Sequence, residues 1–112
     1  MALDTVDQPQ PHAPVVFFDR RELYQLLNLY GRMVASGHWR DYAIDGLKDA
    51  AVFSVFRRAS EVPLYRIEKH PHLARKQGAW AVVAQGGLVL RRGHDLDHVL
   101  RVFDRARFAV VE

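Results

Sequence analysis

Residues 80–92, Trp-Ala-Val-Val-Ala-Gln-Gly-Gly-Leu-Val-Leu-Arg-Arg, decide how this chain folds. Two runs of β-forming residues flank Gly86-Gly87, and adjacent glycines readily adopt the positive φ angles of a type I′ turn. The stretch therefore predicts a β-hairpin with a two-residue loop. The predicted register places three pairs on each face of the sheet: Trp80–Gly93, Val82–Arg91 and Ala84–Val89 on one, and Ala81–Arg92, Val83–Leu90 and Gln85–Leu88 on the other.

Three further strands are predicted before this hairpin. Tyr42 and Ile44 alternate with small or acidic residues, and residues 51–56 follow after a turn, so these two segments favour another hairpin. Residues 64–69 alternate as a third strand, which ends at Pro71 because proline cannot donate to a strand ladder. Strands that follow one another without intervening helices indicate an antiparallel meander.

A helix is predicted before the strands. Asp19 is its predicted N-cap, with Glu22 three residues on as the capping-box partner, and the helix extends over residues 20–36. The predicted buried stripe is Leu23, Leu26, Leu27, Tyr30 and Val34. Apolar residues also lie off this stripe, among them Leu29 and Met33, so the helix has a wider apolar surface than one contact face requires.

A second helix is predicted after the final hairpin, with Asp95 as its N-cap. Its predicted buried stripe is Leu96, Val99, Leu100 and Phe103. Beyond it, Phe108–Val111 is interpreted as a short closing strand or a docked tail.

The domain organisation follows from length and composition. Residues 1–14 hold three of the five prolines and few apolar residues, so they are predicted to be a flexible tail. The remaining residues, 15–112, suffice for one core only. The prediction is a single α+β domain, an antiparallel meander of about five strands flanked by an N-terminal and a C-terminal helix.

The composition excludes several kinds of site. The chain has no cysteine, so it contains no disulfide, no thiolate nucleophile and no cysteine-ligated metal. Its first residues lack the basic start and apolar run of a signal peptide, and no stretch approaches the roughly 18 apolar residues of a membrane span. We therefore expect a cytoplasmic protein without a membrane partner.

No catalytic or metal site is predicted. His94 and His98 stand four apart, a spacing that places two metal ligands on one helix face, but an N-cap at Asp95 leaves His94 outside the helix. No serine lies in a recognisable nucleophile motif. Gly86-Gly87 joins two strands and does not precede a helix as a phosphate-binding loop does. The sequence thus predicts a non-enzymatic protein without a cofactor.

Positive charge is concentrated in residues 57–92. The segment carries eight basic residues against Glu61 and Glu68, a net charge of +6 in a chain whose total is +3. The basic residues are Arg57, Arg58, Arg66, Lys69, Arg75, Lys76, Arg91 and Arg92. Such a segment is typical of a surface for an anionic partner such as nucleic acid, or of a solvated sheet whose edge strands carry charge.

Trp80 has two interpretations. If the helices cover the Val83 and Leu90 face, Trp80 lies on the open face with Arg91 nearby, an aromatic and cationic pair suited to single-stranded nucleic acid. In the alternative Trp80 belongs to the core, since tryptophan is highly buried on average.

Three segments, residues 39–45, 62–69 and 85–96, resemble an uncharacterised alphaproteobacterial family catalogued as domain of unknown function 2794. The resemblance extends from about Phe17 to Phe103. It implies a bacterial cytoplasmic protein and brings no catalytic residues.

Two functions are therefore open. The first is a binding module for nucleic acid that uses the eight basic residues together with Trp80. The alternative is a protein–protein adaptor or homodimer, indicated by the wide apolar surface of the first helix and by the strand edges that an open meander exposes.

Overall fold

The structure is a computed structural model that describes residues 15–58 and 62–104. In chain order its elements are helix α1 (Arg20–Ala35), strands β1 (Asp41–Gly46), β2 (Ala51–Phe56) and β3 (Tyr65–Lys69), a 3-10 turn (Pro71–Leu73), strands β4 (Trp80–Ala84) and β5 (Val89–Gly93), and helix α2 (Leu96–Leu100).

The five strands form one antiparallel sheet in the order β1-β2-β3-β4-β5. This confirms the predicted α+β meander with a helix before it and a helix after it. The predicted flexible tail, 1–14, and the predicted closing segment, Phe108–Val111, lie outside the described residues. No helix in the described ranges is long and apolar enough to cross a membrane.

The start of α1 is the predicted capping box. The Asp19 carboxylate accepts a hydrogen bond from the backbone N–H of Glu22 at 2.8 Å, and the Glu22 carboxylate accepts one from the backbone N–H of Asp19 at 2.8 Å. Two backbone donors that a helix leaves without intrahelical partners are thereby satisfied. Gly37, with φ of +85°, follows the helix and turns the chain towards β1.

The buried face of α1 differs from the predicted stripe. Leu26, Leu29 and Met33 are buried, whereas Leu27 and Val34 are exposed. The helix is apolar over more than half its circumference, so periodicity does not select a single face. Packing against the sheet makes the selection, and it leaves apolar side chains in solvent.

One face of the sheet builds the core with both helices. Phe53, Val55, Ile67 and Val82 are fully buried on it and belong to one cluster with the inward residues of α1 and α2. Since each strand alternates sides, the other face carries the intervening residues, and neither of the two helices packs there.

The β4–β5 hairpin confirms part of the predicted register. Trp80 pairs with Gly93, Ala81 with Arg92 and Val82 with Arg91, as predicted. Nearer the turn an irregularity shifts the register, so that Val83 pairs with Val89, and the predicted pairs Val83–Leu90 and Ala84–Val89 are wrong. One extra residue in β5 accounts for this shift, as in a β-bulge.

The turn itself also differs from the prediction. The backbone N–H of Gly87 donates to the carbonyl of Ala84 at 2.9 Å, so Gln85 and Gly86 are the central turn residues and not Gly86 and Gly87. Both glycines have positive φ, +90° and +94°, which explains why two glycines are needed here.

Helix α2 begins as predicted, because the Asp95 carboxylate accepts a hydrogen bond from the N–H of His98 at 3.1 Å. Leu96, Val99 and Phe103 are buried, and Leu100 is partly buried. The Phe103 ring lies edge-on to Trp39 and Tyr65, with centroids 5.1 and 5.0 Å away. The C-terminal helix region is thus fixed to the sheet by aromatic contacts.

We expect Asp19→Ala to lower the free energy of unfolding by about 1 kcal/mol, because it removes the side-chain acceptor of the capping box. Chemical denaturation monitored by circular dichroism measures the effect. Asp49→Ala, at an exposed turn position, is the matched control and should leave the midpoint unchanged. Equal midpoints for the two variants would contradict a stabilising cap at Asp19.

Candidate functional site

Trp80 is a core residue. Only 6% of its surface is exposed, and its ring stacks on Phe18 with centroids 6.1 Å apart. The helices therefore cover the Trp80 face. An open platform at Trp80 requires them to cover the Val83 face instead, so this interpretation of Trp80 is wrong. Strand β4 is apolar on both sides, so its sequence contains no signal that distinguishes the covered face.

Two predicted nucleic-acid candidates share this covered face and hold the helices in place. Lys69 Nζ donates to the Glu22 carboxylate at 2.7 Å and to the carbonyl of Phe17 at 2.9 Å, and it lies 5.9 Å from the centroid of Trp80. Arg91 Nη1 donates to the carbonyl of His98 in α2 at 3.1 Å. These cations stabilise the packing of α1 and α2, which explains their position in the sequence without a nucleic-acid partner.

Two other candidates, Arg66 and Arg92, lie on the opposite face. Arg66 Nε donates to the Glu68 carboxylate at 2.9 Å, and His70 Nε2 donates to the other oxygen of that carboxylate at 2.9 Å. Arg92 is across Ala81 from Glu68, and its buried Nη1 has no hydrogen-bond partner in the described part of the chain. This face therefore carries a paired polar cluster and not a free row of cations.

The pKa of Glu68 reflects these contacts. Partial burial by itself raises it, but the hydrogen bonds from His70 and Arg66, together with their charges, outweigh that effect and hold the pKa below the ordinary glutamate value. The Glu68 carboxylate is thus ionised at neutral pH, where its contribution to the stability of the fold is greatest.

The remaining candidates lie at opposite ends of the sheet. Arg57 and Arg58 are exposed directly after β2, next to the start of β3. Arg75 and Lys76 are exposed after the 3-10 turn, beyond the end of β3. The nine residues proposed from the sequence therefore occupy two faces and both ends of the sheet, and they do not form one continuous surface.

A cavity of about 380 Å³ lies at the end of the sheet where β1 begins and β2 ends. Its basic lining residues are His38, Arg40, Arg57 and Arg58, and the rest of its lining is Val34, Gly37 and Trp39. We call this the basic cavity. His38 and Arg40 were not among the predicted site residues, because they belong to a separate part of the sequence that only strand pairing brings to Arg57.

An exposed apolar surface lies where α1 meets the edge strand β1. We call it the edge face and define it by Phe17, Leu27, Val34, Tyr42 and Ile44, which are 70, 39, 41, 39 and 45% exposed. Tyr30 joins the two elements, since its ring centroid is 4.8 Å from that of Tyr42 and it shares a helix flank with Leu27 and Val34. Phe17 lies beside Gly46, at the end of β1.

Strand β1 is also an open edge. It pairs with β2 on one side, and no described strand pairs with its other side. Asp41 and Asp45 alternate with Tyr42 and Ile44, so the edge carries acidic side chains on one face of the sheet and apolar ones on the other. The Asp41 carboxylate accepts a hydrogen bond from the backbone N–H of Tyr42 at 2.8 Å. The edge strand thus combines a side that no described strand pairs with and a two-sided side-chain pattern.

His94 and His98 do not share one helix face. Helix α2 begins at Leu96, so His94 is outside it, as the predicted cap at Asp95 requires, and His94 Nδ1 donates to the carbonyl of Ala74 at 3.1 Å. Within residues 15–58 and 62–104 there is no group of three histidine or acidic side chains that could hold a metal ion.

Comparison with known proteins gives a family and no function. A family model described as Protein of unknown function (DUF2794) matches residues 16–100. No curated protein and no solved structure matches the chain. The match covers α1 to α2 and supplies no residue roles.

We expect Glu68→Gln to cost about 1 to 2 kcal/mol of stability at neutral pH, since hydrogen bonds to a charged group are lost or weakened. Because the pKa of Glu68 is lowered in the folded protein, its carboxylate contributes fully to stability at pH values above the ordinary glutamate pKa. This stabilisation is lost as the pH falls through the lowered pKa of Glu68. Denaturation midpoints of parent and variant across this acidic range should therefore converge.

The matched control is Asp97→Asn, which breaks the exposed pair between Asp97 and Arg101. Exposed pairs contribute little, so this variant should show a small effect at neutral pH. A loss of stability for Glu68→Gln that is the same at neutral and acidic pH would contradict the role of the carboxylate charge.

Proposed function

This chain belongs to the family described as Protein of unknown function (DUF2794), and from the geometry of its own surface we propose that it is a non-enzymatic binding module that takes up an extended protein segment along β1. The observation that carries the proposal is the edge face, an exposed apolar surface directly beside an unpaired edge strand. Exposed apolar patches of this kind mark interaction sites in soluble proteins.

The unpaired edge determines the backbone conformation of the partner. An added strand forms main-chain hydrogen bonds with the open side of β1, the mode of recognition known as β-augmentation. The six residues of β1 span about 20 Å, at roughly 3.4 Å per residue. A segment of similar length in the partner is sufficient to cover it.

The side chains of β1 determine the chemistry of the partner. On the helix side, Tyr42 and Ile44 continue the apolar flank of α1, so the added strand needs apolar residues at alternate positions. On the other side, Asp41 and Asp45 favour lysine or arginine at the positions between them. The proposed partner segment is therefore an extended strand in which apolar and basic residues alternate.

A second copy of this chain satisfies these requirements less well. Two copies of β1 that pair about a two-fold axis through Ala43 place Asp41 of one strand opposite Asp45 of the other, and like charges directly opposite each other are destabilising. The acidic edge thus favours a basic partner over self-association. Nucleic acid also has less support, because the basic residues predicted for it are dispersed.

The test measures binding of two synthetic peptides, one alternating isoleucine with lysine and the other alternating isoleucine with glutamate. We expect the lysine peptide to bind the parent protein at least about tenfold more tightly, a difference of roughly 1.4 kcal/mol. Ile44→Lys should abolish binding, because it places a charge in the row that packs against the isoleucines of the peptide. Leu88→Lys, at an exposed apolar residue in the distant β4–β5 turn, is the matched control and should bind as the parent does.

Circular dichroism of both variants establishes that they are folded, as expected for exposed positions. Equal binding by Ile44→Lys and the parent, or no preference for the lysine peptide, would overturn the proposal. Sedimentation of the parent gives the remaining outcome: a dimer that Ile44→Lys dissociates would assign the edge to a second copy of the chain instead.

A further inference from the structure

We propose that the basic cavity is a binding site for a phosphate group. Two of its residues carry the argument, Arg40 just before β1 and Arg57 just after β2. Neither side chain has an ion-pair or hydrogen-bond partner in the part of the chain that the structure describes. No acidic residue is among the described residues that line the cavity.

Strand pairing brings the two arginines together. Asp41 and Phe56 form the last pair of the ladder, so Arg40 and Arg57 adjoin this pair, and both line the cavity. The backbone N–H of Arg40 donates to the carbonyl of Phe56 at 2.8 Å, which holds Arg40 beside the residue that precedes Arg57. Like charges that line one cavity repel, and an anion between them converts that repulsion into two attractive contacts.

The other groups of the cavity suit the same ligand. His38 extends the basic lining, and a hydrogen bond of 2.9 Å between its Nδ1 and Ser36 Oγ orients the ring. Guanidinium groups present N–H donors in a planar fork that matches the oxygens of a phosphate. The volume of about 380 Å³ is at the lower end of the range for small-molecule sites.

A smaller cavity adjoins this one and shares His38, Trp39 and Arg57 with it. Its volume is about 120 Å³, and its remaining lining is Met33, Leu64, Tyr65 and Phe103. A ligand with a phosphate in the basic cavity can therefore place an apolar or aromatic group beside it. Phosphorylated small molecules and the backbone of a nucleic acid both have this chemistry, and the experiment distinguishes them.

The experiment titrates inorganic phosphate and a short single-stranded oligonucleotide into the full chain at low salt, with binding followed by NMR chemical shifts. We expect saturable shifts at the amides of residues 38–40 and 57, and Arg40→Gln and Arg57→Gln should each weaken binding by about tenfold. Arg75→Gln is the matched control, because it removes one exposed arginine at the opposite end of the sheet and should retain the parent affinity.

Thermal unfolding gives a second measurement. Phosphate should raise the melting temperature of the parent and of Arg75→Gln, since a ligand that binds the folded state stabilises it, and it should have less effect on Arg57→Gln. Without phosphate, Arg57→Gln should be at least as stable as the parent, because a repulsion has been removed.

The two probes identify the source of the phosphate. Tighter binding of the oligonucleotide, lost in the same two variants, assigns the site to a nucleic-acid backbone, whereas equal or tighter binding of phosphate assigns it to a small molecule. No saturable binding of either probe, or an equal loss in Arg75→Gln, would overturn the proposal. Neither result bears on peptide binding at β1, which uses different residues.

Discussion

The fold depends on how much of a five-stranded sheet two helices can cover. A helix with its side chains is about 10 to 12 Å across, and strands lie about 4.8 Å apart, so one helix covers roughly two strands. Helix α2 packs against β4 and β5, and α1 shares the core with the central strands. Strand β1 is left at the margin of the sheet, where Tyr30 of α1 contacts Tyr42. The exposed edge face follows from this geometry.

The packed side of the sheet uses charge to fix the helices. Glu22 has two roles, since its carboxylate closes the capping box of α1 and also pairs with Lys69 at the end of β3. The ammonium group of Lys69 lies near the buried ring of Trp80, which in turn stacks on Phe18. A local helix signal and a long-range contact therefore share one side chain, and the start of α1 is tied to the sheet at this point.

The side of the sheet without a described helix is organised differently. Ser54, Ala81 and Val83 are buried there because long side chains of neighbouring strands lie over them: Arg66 is next to Ser54 and Val83, and Ala81 lies between Glu68 and Arg92. Pairing among Arg66, Glu68 and His70 satisfies much of the polar surface that this arrangement creates. Contacts within the fold thus explain three of the eight basic residues in the middle of the chain, Arg66, Lys69 and Arg91, whereas Arg57, Arg58, Arg75 and Lys76 are exposed at the sheet ends.

The sequence by itself determined the features that depend on neighbouring residues. The capping box at Asp19 and Glu22, the cap at Asp95, the positive φ angles of Gly86 and Gly87 and the alternation of the strands are local effects, so the element order and the meander could be predicted. Only the tertiary structure decided which of several apolar faces packs between the helices and the sheet. Helix α1 and strand β4 are apolar on more than one side, and packing placed Leu29 and Trp80 inside and Leu27 outside. The pairing of β1 with β2 likewise brought Arg40 to Arg57, a proximity of residues far apart in sequence that no local pattern contains.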